Sequence, residues 1–399
     1  MRCRFAADAW VAATAGDDDA WLVALTSIHW REAWKYGERA FRYCQHDLGH
    51  AIAAVAIAAD LVGREVRLLP DWGSADIARL TGIDRDQDYV EAEREEPGGL
   101  LVVSRKSMVE SPPVALIDRA RLLDAVAAGE WSGRANQLSE DHVQWTFIDE
   151  VAEATRNRGV SASSVTSSPA LPAQPARHGP RYPAALVLQR RSAVALDGRT
   201  SIDADQFFAM LQRVMPAASA PFAALWWEAR IHLLLFVHRV SGVDPGAYML
   251  VRASSALEPL RAACRRSFAW EPAHPSLPLF TLSLGDCRAI AQRVSCDQAI
   301  AGDGCFSLGM IADFDASLGQ YGAAFYRHLF WESGVVGQVL YLEAEAAGTR
   351  ATGIGCFYDD PVHDLLGLEG HAFQSLYHFT VGMPIEDTRL STEPGYSWG

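Results

Sequence analysis

The chain has 399 residues, of which 49% are hydrophobic and 21% charged, a composition typical of a globular protein with about two or three domains. The formal net charge is −14, which would repel a polyanion, so we predict no nucleic-acid partner. The most apolar helical stretch, residues 51–62, contains Asp60 and is far shorter than the roughly 20 residues that a membrane span requires. We therefore expect a cytoplasmic protein with no signal peptide and no membrane association.

The seven cysteines are scattered and form no Cys-x-x-Cys pair, which favours buried thiols in a reducing compartment. Three of them, Cys287, Cys296 and Cys305, are evenly spaced, but their spacing does not match that of zinc sites. The sequence therefore predicts no metal.

The predicted elements begin with a long helix after Tyr36, a strand at residues 99–104 and a helix at residues 139–155. Residues 156–183 are rich in Ser, Ala and Pro and predict a flexible linker. Beyond it we predict helices at residues 203–214, around Asp286 and at residues 317–347, with strands at residues 231–239, 247–252 and 376–383. This mixture indicates an α+β protein.

A repeat connects the two sides of the linker at a constant offset of 285 residues. In both copies apolar residues recur at helical spacing after a Tyr-Gly pair and end at a glycine, as a helix C-cap would. The second copy begins near Arg190, whose counterpart in the first copy would be residue 190 − 285 = −95. We therefore expect the first copy to lack the residues that match the start of the second. The coinciding pairs are Tyr36/Tyr321, Gly37/Gly322, Arg42/Arg327, Gly49/Gly334, Gly63/Gly348 and Gly82/Gly367.

Two short strings could bind a phosphorylated ligand. Arg190, Arg191 and Ser192 place two guanidinium groups and a hydroxyl together, a set that can hold phosphate oxygens. The alternative is a surface basic pair that meets nearby carboxylates. In the string at residues 352–357, Gly353 and Gly355 would let a backbone approach a flat ligand, although a simple turn explains them equally well.

The order of these motifs resembles the nitroreductase superfamily. The motifs follow in the order R-R-S, V-H-R-V-x-G-x-x-P-G-x-Y, a Tyr-Gly helix, G-I-G-x-F and a final V-G-x-P. In addition, the W-K-Y-G segment that includes Lys35 resembles the SagB-type branch of the superfamily, which contains azoline dehydrogenases. The resemblance implies a nitroreductase-like α+β fold, with a central, mainly antiparallel sheet wrapped by helices. It covers a complete domain at residues 184–399 and an incomplete, N-terminally shortened copy at residues 1–155.

The resemblance also implies flavin mononucleotide (FMN) as cofactor, near the interface between the paired domains. By this likeness Arg190, Arg191 and Ser192 would hold the flavin phosphate, with Arg389 as a further ligand. Gly353 and Gly355 would line the isoalloxazine ring. The catalytic candidates are Lys35, Tyr36 and Tyr321.

The chain departs from the family pattern at two places. A Ser-Gly-Gly type segment is replaced by residues 221–227, whose larger side chains would crowd the ring, and Gln320 stands where the first copy has Lys35. These departures put azoline oxidation itself in question.

The predicted activity is hydride transfer between FMN and a small-molecule or peptide heterocycle, with NAD(P)H as a candidate electron donor that reacts directly at the flavin. A homodimer could supply the pairing surface that the shortened copy lacks. Two other classes remain open. His46 and His50 lie at i and i+4, as in zinc hydrolases, and a cofactor-free relative could serve as a binding or scaffold module.

Overall fold

The computed structural model describes residues 1–14, 19–105, 117–140, 143–159, 182–389 and 391. Most of the predicted linker, residues 160–181, lies outside the described residues, as do residues 141 and 142 of the predicted helix at 139–155. Below, the first half means described residues up to 159 and the second half those from 182 onward.

The first half contains a small antiparallel sheet that packs on a long helix. Its strands lie in the order β2-β4-β3, and β1 pairs separately with β5. The predicted strand at 99–104 is confirmed as part of a longer one, whereas the helix predicted from 139 begins only at Thr146. The elements are β1 (Arg2–Arg4), α1 (Ala7–Ala13), β2 (Trp21–Ser27), α2 (His29–Tyr36), α3 (Ala40–Leu61), β3 (Arg64–Leu68), α4 (Ser74–Thr81), β4 (Glu96–Arg105), α5 (Arg119–Ala127), β5 (Glu130–Ser132) and α6 (Thr146–Ala154).

The second half is built on a seven-stranded, antiparallel sheet with the order β10-β11-β9-β7-β12-β14-β13. A short parallel pair, β6 and β8, lies outside it. The elements are α7 (Ala184–Gln189), β6 (Ile202–Asp203), α8 (Ala204–Arg213), β7 (Ile231–Val237), β8 (Val240–Ser241), β9 (Gly246–Leu250), α9 (Leu257–Ala263), β10 (Glu271–Pro272), β11 (Leu279–Leu284), α10 (Arg288–Val294), α11 (Ile300–Asp303), β12 (Phe306–Asp313), α12 (Phe314–Tyr321), α13 (Phe325–Ala346), β13 (Arg350–Ile354), α14 (Asp359–Leu366) and β14 (Phe373–Gly382).

Local sequence explains several of these boundaries. Helix α8 begins where Asp203 and Gln206 form a reciprocal capping box. The single helix predicted at residues 317–347 is wrong, because the chain breaks at Gly322, which has a φ of +80° and ends α12. Strand β12 is buried on both faces, as β7 is, but Ser307 and Gly309 interrupt its apolar run, so it shows neither alternation nor the continuous apolar stretch that marks β7, and it escaped prediction.

Six elements of the first half recur in the second. Helices α2, α3 and α4 begin at residues 29, 40 and 74, and α12, α13 and α14 begin at 314, 325 and 359, a difference of 285 in each case. The strand orders β2-β4-β3 and β12-β14-β13 correspond as well. The strands at the other end of the large sheet, β7, β9, β10 and β11, have no counterpart in the described part of the first half.

Helices α3 and α13 pack against each other and join the two halves. Trp331 Nε1 donates to Gln45 Oε1 at 2.9 Å, and the His46 ring meets the edge of Phe330 with centroids 5.1 Å apart. At the offset of 285, residues 45 and 46 correspond to 330 and 331, so each contact is the counterpart of the other. The two halves are therefore related by an approximate two-fold axis that passes between the helices.

The largest hydrophobic core runs across this junction and includes Leu48 and Ile52 from α3 together with Phe330 and Val335 from α13. Among the described residues, no helix is both long enough and apolar enough to cross a membrane.

Candidate functional site

The arginines predicted to hold a phosphate lie beside the edge strand of the large sheet. Arg190 follows the end of α7, and Ser192 forms a parallel bridge with Ala351 of β13. The Arg190 guanidinium lies 4.7 Å from the centroid of the Tyr341 ring. The Ser192 hydroxyl donates to the Tyr341 hydroxyl at 3.1 Å, and the Gly353 N–H donates to that same oxygen at 3.0 Å. Tyr341 thus brings Arg190, Ser192 and Gly353 together. With Arg191, these residues form the Arg190 cluster.

This cluster carries positive charge that no described carboxylate neutralises. Arg191 Nη1 donates to the carbonyl oxygens of Leu188 at 2.9 Å and Arg190 at 2.8 Å, and neither arginine forms an ion pair with an acid in the described ranges. Both arginines are half-buried. A half-buried cationic pair beside a hydroxyl favours binding of an anion.

The two glycines predicted to line a ring are covered by tyrosines. A Cβ placed on Gly353 would collide with the Tyr377 hydroxyl, and one placed on Gly355 would collide with the Tyr43 ring. The absence of a side chain at both positions is therefore explained by the close approach of these tyrosines. Both glycines remain half-exposed to solvent.

The Lys-Tyr pair of the first half reaches the same place. The rings of Tyr36 and Tyr43 stack with centroids 4.1 Å apart, so Tyr36 is separated from Gly355 only by Tyr43. Lys35 is exposed, with Nζ 4.9 Å from the Tyr36 ring centroid, and its hydrogen bond with Tyr36 raises the lysine pKa. Burial, followed by the neighbouring Cys356 and Tyr36, raises the pKa of Tyr43 to about 12.

Two predicted site residues lie elsewhere. The Tyr321 ring stacks on Phe325 with centroids 4.4 Å apart and lies edge-on to Trp226 at 5.5 Å. Its buried hydroxyl has no hydrogen-bond partner in the described part of the chain. Arg389 donates through Nη2 to Asp387 at 2.7 Å and leaves 86% of its side chain exposed.

The two-fold relation defines a position on the first half that is equivalent to the surroundings of Gly353 and Gly355. The side chains at the two positions differ in chemistry. Leu68 and Pro70 are the counterparts of Gly353 and Gly355 at the offset of 285. With Trp226, His328 and other residues they line a cavity of about 10 Å³, which holds at most one water molecule. No arginine and no hydroxyl-bearing side chain among the described residues lines this cavity, in contrast to the position beside Gly353.

The segment at residues 221–227 does not cover the Arg190 cluster. Its short helical turn, Phe222–Ala224, packs on β3 of the first half, where Arg67 Nη1 donates to the carbonyl oxygen of Ala223 at 2.8 Å. The large side chains of this segment thus crowd the equivalent position on the first half.

His46 lies within the core, His50 is half-buried beside it, and both position Tyr377. His46 Nε2 donates to the carbonyl oxygen of Leu376 at 3.0 Å, and its ring stacks on Tyr377 with centroids 4.1 Å apart. His50 contacts Gln338 Oε1 at 3.1 Å and the Tyr377 hydroxyl at 3.3 Å. Burial lowers the pKa of His46 to about 3 and that of His50 to about 4. No group of three potential metal ligands occurs among the residues that the structure describes.

Sequence reasoning missed Tyr43, Tyr341 and Tyr377. Tyr43 lies six residues after the W-K-Y-G segment at residues 34–37, where an aromatic residue shortly after the Lys-Tyr pair could have drawn attention. Tyr341 and Tyr377 reach the site from a helix and a strand far along the chain, and no local pattern marks them.

Comparison with known proteins relates most of the second half to one protein family. Residues 187–383 match the family model described as "Nitroreductase family". This stretch of the chain is therefore similar to the nitroreductase family. The same comparison is consistent with the antiparallel sheet and surrounding helices described above.

A solved structure shows the same fold over nearly the whole chain. A protein from Anabaena variabilis, described as a nitroreductase, superposes with a TM-score of 0.62 at 17% identity and covers 95% of this chain and 73% of its own. The Escherichia coli microcin synthetase McbBCD complex, with truncated pro-MccB17 bound, matches with a TM-score of 0.36 at 14% identity over 54% of this chain and 78% of its own. The NADPH:FMN oxidoreductase of Vibrio harveyi, complexed with NAD+, matches with a TM-score of 0.30 at 15% identity over 52% and 71%. A search of curated proteins finds no match.

Proposed function

We propose that this protein is an FMN-dependent oxidoreductase of the SagB-type branch, which transfers hydride between its flavin and a small-molecule or peptide heterocycle. The observation that carries the proposal is the meeting of Arg190, Ser192 and Gly353 at Tyr341, with no described carboxylate to neutralise the arginines. The similarity of residues 187–383 to the nitroreductase family supports it. The family supports FMN as the cofactor.

The residues of this cluster fit the phosphate end of FMN. The Arg190 and Arg191 guanidinium groups and the Ser192 hydroxyl would hold the phosphate, since charge-assisted hydrogen bonds to its oxygens are the strongest available to these side chains. When bound, FMN supplies the chemistry of hydride acceptance and donation. The surface beside the glycines is formed by Tyr43, whose ring covers Gly355.

Hydride transfer must be matched by a proton, and Tyr36 is the proposed source. Its hydroxyl is hydrogen-bonded to the exposed Lys35 ammonium, and its ring stacks on Tyr43 beside Gly355. A phenol in this position can donate a proton to a bound substrate or accept one from it. Lys35 would hold the hydroxyl in place by its hydrogen bond.

Reduced nicotinamide is the proposed electron donor and would react directly at the flavin. Lys35 is exposed and Gly353 and Gly355 are half-exposed, so a small molecule or a peptide could approach them from solvent. Because Tyr36 lies against the second half of its own chain, the proposed site needs only one chain. The proposal allows a homodimer as well.

The proposal is tested by the visible absorption spectrum of the purified protein and by identification of any flavin released on denaturation. We expect FMN, and we expect the combined change Arg190→Ala and Arg191→Ala to weaken its binding about a hundredfold or more, because about two bonds of roughly 1.5 to 3 kcal/mol each are lost. Arg94→Ala is the matched control, since Arg94 is an exposed arginine paired with Asp86. A colourless protein that cannot be reconstituted with FMN would disprove the proposal.

A cofactor-free scaffold is the second candidate, and the tyrosines favour it. Tyr377 and Tyr43 already fill the space beside Gly353 and Gly355, where the resemblance implies a flavin ring. In a scaffold the change Tyr43→Ala would leave the protein unable to bind FMN. If the protein is instead a flavoprotein with room for the ring, wild type should bind FMN. Quenching of the flavin fluorescence on binding measures this.

A further inference from the structure

Two cysteines from separate loops meet at the surface of the second half. Cys296 lies between α10 and α11, and Cys356 lies between β13 and α14, directly after Gly355. Their Sγ atoms are 2.7 Å apart, and both side chains are free thiols. Cys356 is exposed and Cys296 is half-buried, so that a reagent in solution reaches Cys356 first.

The two loops are held together by contacts that do not involve sulfur. Gln298 Nε2 donates to the carbonyl oxygens of Cys356 at 3.0 Å and Ser295 at 2.8 Å, and the Tyr358 N–H donates to the carbonyl oxygen of Val294 at 2.9 Å. The thiols are thus already positioned before any bond joins them. A bond between them would require little additional ordering of the chain.

The backbone at Cys296 is strained. Cys296 and Asp297 both have a φ of +57°, the left-handed region that residues other than glycine rarely adopt. Such conformations persist where the surrounding structure enforces them, and they concentrate at functional sites.

The charges around the pair distinguish the two sulfurs. Burial, followed by the hydrogen bond and charge of Cys356, raises the pKa of Cys296 to about 12, while the Arg39 guanidinium acts in the opposite direction. Once the Cys356 sulfur is covalently bonded and neutral, its charge no longer opposes ionisation of Cys296. Arg39 is fixed nearby through hydrogen bonds from Nη1 and Nη2 to the carbonyl oxygen of Phe357, each at 3.2 Å.

We propose that Cys296 and Cys356 form a thiol–disulfide exchange site that reduces low-molecular-weight disulfides. The Cys356 thiolate attacks one sulfur of the disulfide, a mixed disulfide forms, and the first thiolate leaves and takes up a proton. Cys296 then loses its proton and attacks the Cys356 sulfur, which releases the second thiol. The protein loses two electrons and two protons, and the disulfide becomes two thiols. This site requires no flavin.

The experiment treats the fully reduced, full-length protein with oxidised glutathione under denaturant-free conditions, followed by alkylation and peptide mass spectrometry. We expect wild type to lose two hydrogen atoms and to yield a peptide pair linked between Cys296 and Cys356, without retained glutathione. Cys296→Ser should instead retain one glutathione on Cys356, because the second attack is lost. Cys287→Ser is the matched control, since Cys287 is also half-buried but its thiol donates to the carbonyl oxygen of Gly285 and contacts no second cysteine among the described residues.

Retention of glutathione on Cys356 in wild type would overturn the proposal, as would failure to form the linked peptide. Formation of the link in Cys287→Ser at the wild-type rate supports it. Thermal unfolding of each variant identifies any that fails to fold. If a variant fails to fold, Cys356→Ala replaces it in the same peptide mapping. We expect Cys356→Ala to form no link and to carry no glutathione on Cys296. Glutathione on Cys296 would contradict the assigned order of attack.

Discussion

Gly49 of α3 and Gly334 of α13 face each other where the two long helices cross. A Cβ on Gly334 would lie 2.8 Å from the Gly49 Cα and would collide with the carbonyl oxygen of His46, while a Cβ on Gly49 would collide with the carbonyl oxygen of Trp331. Residues 49 and 334 correspond at the offset of 285, as do 46 and 331. This contact between the halves therefore repeats itself across the two-fold axis.

The first prediction concerns this crossing. Gly49→Ala should destabilise the protein by about 1 to 3 kcal/mol, because the new methyl group meets backbone atoms that cannot move aside, and this outweighs the gain in helix propensity of about 1 kcal/mol. Urea unfolding measures the change. Gly319→Ala is the control, since Gly319 lies in α12 and, apart from its chain neighbours and its own helix backbone, no atom of the described residues lies within 4 Å of the position that its new methyl group would take. This variant should be neutral or stabilising. Equal stability of Gly49→Ala and wild type would show that the helices pack less closely.

The second prediction concerns the buried pair Arg252 and Glu332. Both side chains are 1% exposed, their charged atoms are 2.5 Å apart, and Glu332 also accepts from Trp227 Nε1 at 3.0 Å. Arg252→Met should cost about 3 to 5 kcal/mol, because it leaves a buried carboxylate without its cation. Adding Glu332→Gln should recover part of this loss. Thermal and urea unfolding measure both effects.

The matched control for the second prediction is Arg293→Met. Arg293 and Asp297 form an exposed pair, each with 58% of its side chain accessible, and such pairs contribute little to stability. A loss in Arg252→Met no larger than that in Arg293→Met would contradict the assigned role of the buried pair.

The third prediction is a loss of stability in mild acid. Burial lowers the pKa of His46, His232 and His378 to about 3 each, whereas an unfolded histidine has a pKa of about 6.5. Below about pH 6.5 the unfolded chain binds more protons than the folded one, so the free energy of unfolding falls as pH decreases towards 3, by up to about 1.4 kcal/mol per pH unit for each histidine. Above this window the three histidines should add no pH dependence.

The slope is tested by urea unfolding between pH 7 and pH 4 with His378→Gln. His378 lies between the hydroxyls of Ser295 and Ser375 at 3.0 and 3.2 Å. The variant should be less stable at pH 7 but should lose less stability per pH unit. The exposed His371 supplies the control His371→Gln, whose slope should equal that of wild type. An unchanged slope in His378→Gln would refute the prediction.

The fourth prediction separates the two tyrosines of the repeat. If the proposed hydride transfer occurs, Tyr36→Phe should lower turnover about a hundredfold while leaving FMN bound, because a positioned acid is removed. Tyr321→Phe should leave turnover unchanged, since Tyr321 lies among Trp226 and Phe325, away from the Arg190 cluster. Nicotinamide oxidation with a nitroaromatic acceptor measures both. The opposite ranking of the two variants would place the chemistry at the other end of the repeat.

The sequence predicted the repeat and the long helices well, because their signals are local. Gly63 and Gly348 follow the two helices with φ values of +73° and +72°, and apolar residues recur at helical spacing before them. The break at Gly322 and strand β12 escaped prediction. A Tyr-Gly pair inside an apolar pattern does not show whether the helix continues. In β12 the residues Ser307 and Gly309 interrupt the apolar run that a strand buried on both faces would otherwise show.

The candidate site was predictable only in part. Arg190, Ser192 and Gly353 were singled out from the residues and lie together at Tyr341. Their assignment to FMN stays a prediction, as does that of Arg389, which pairs with Asp387. The tyrosines that cover the glycines come from other elements. Tyr377 is positioned by the pairing of β14 with β13, and Tyr43 by the packing of α3 on α13, and no short stretch of sequence encodes either contact.

The two-fold arrangement within one chain has a consequence for how its two faces can diverge. In a dimer of identical subunits every substitution appears twice, so a bulky residue that closes one pocket closes both. Here Leu68, Pro70 and Trp226 fill one position while Gly353, Gly355 and Arg190 occupy the other. Covalent linkage frees each face to change alone, so that one can specialise in packing and the other in recognition.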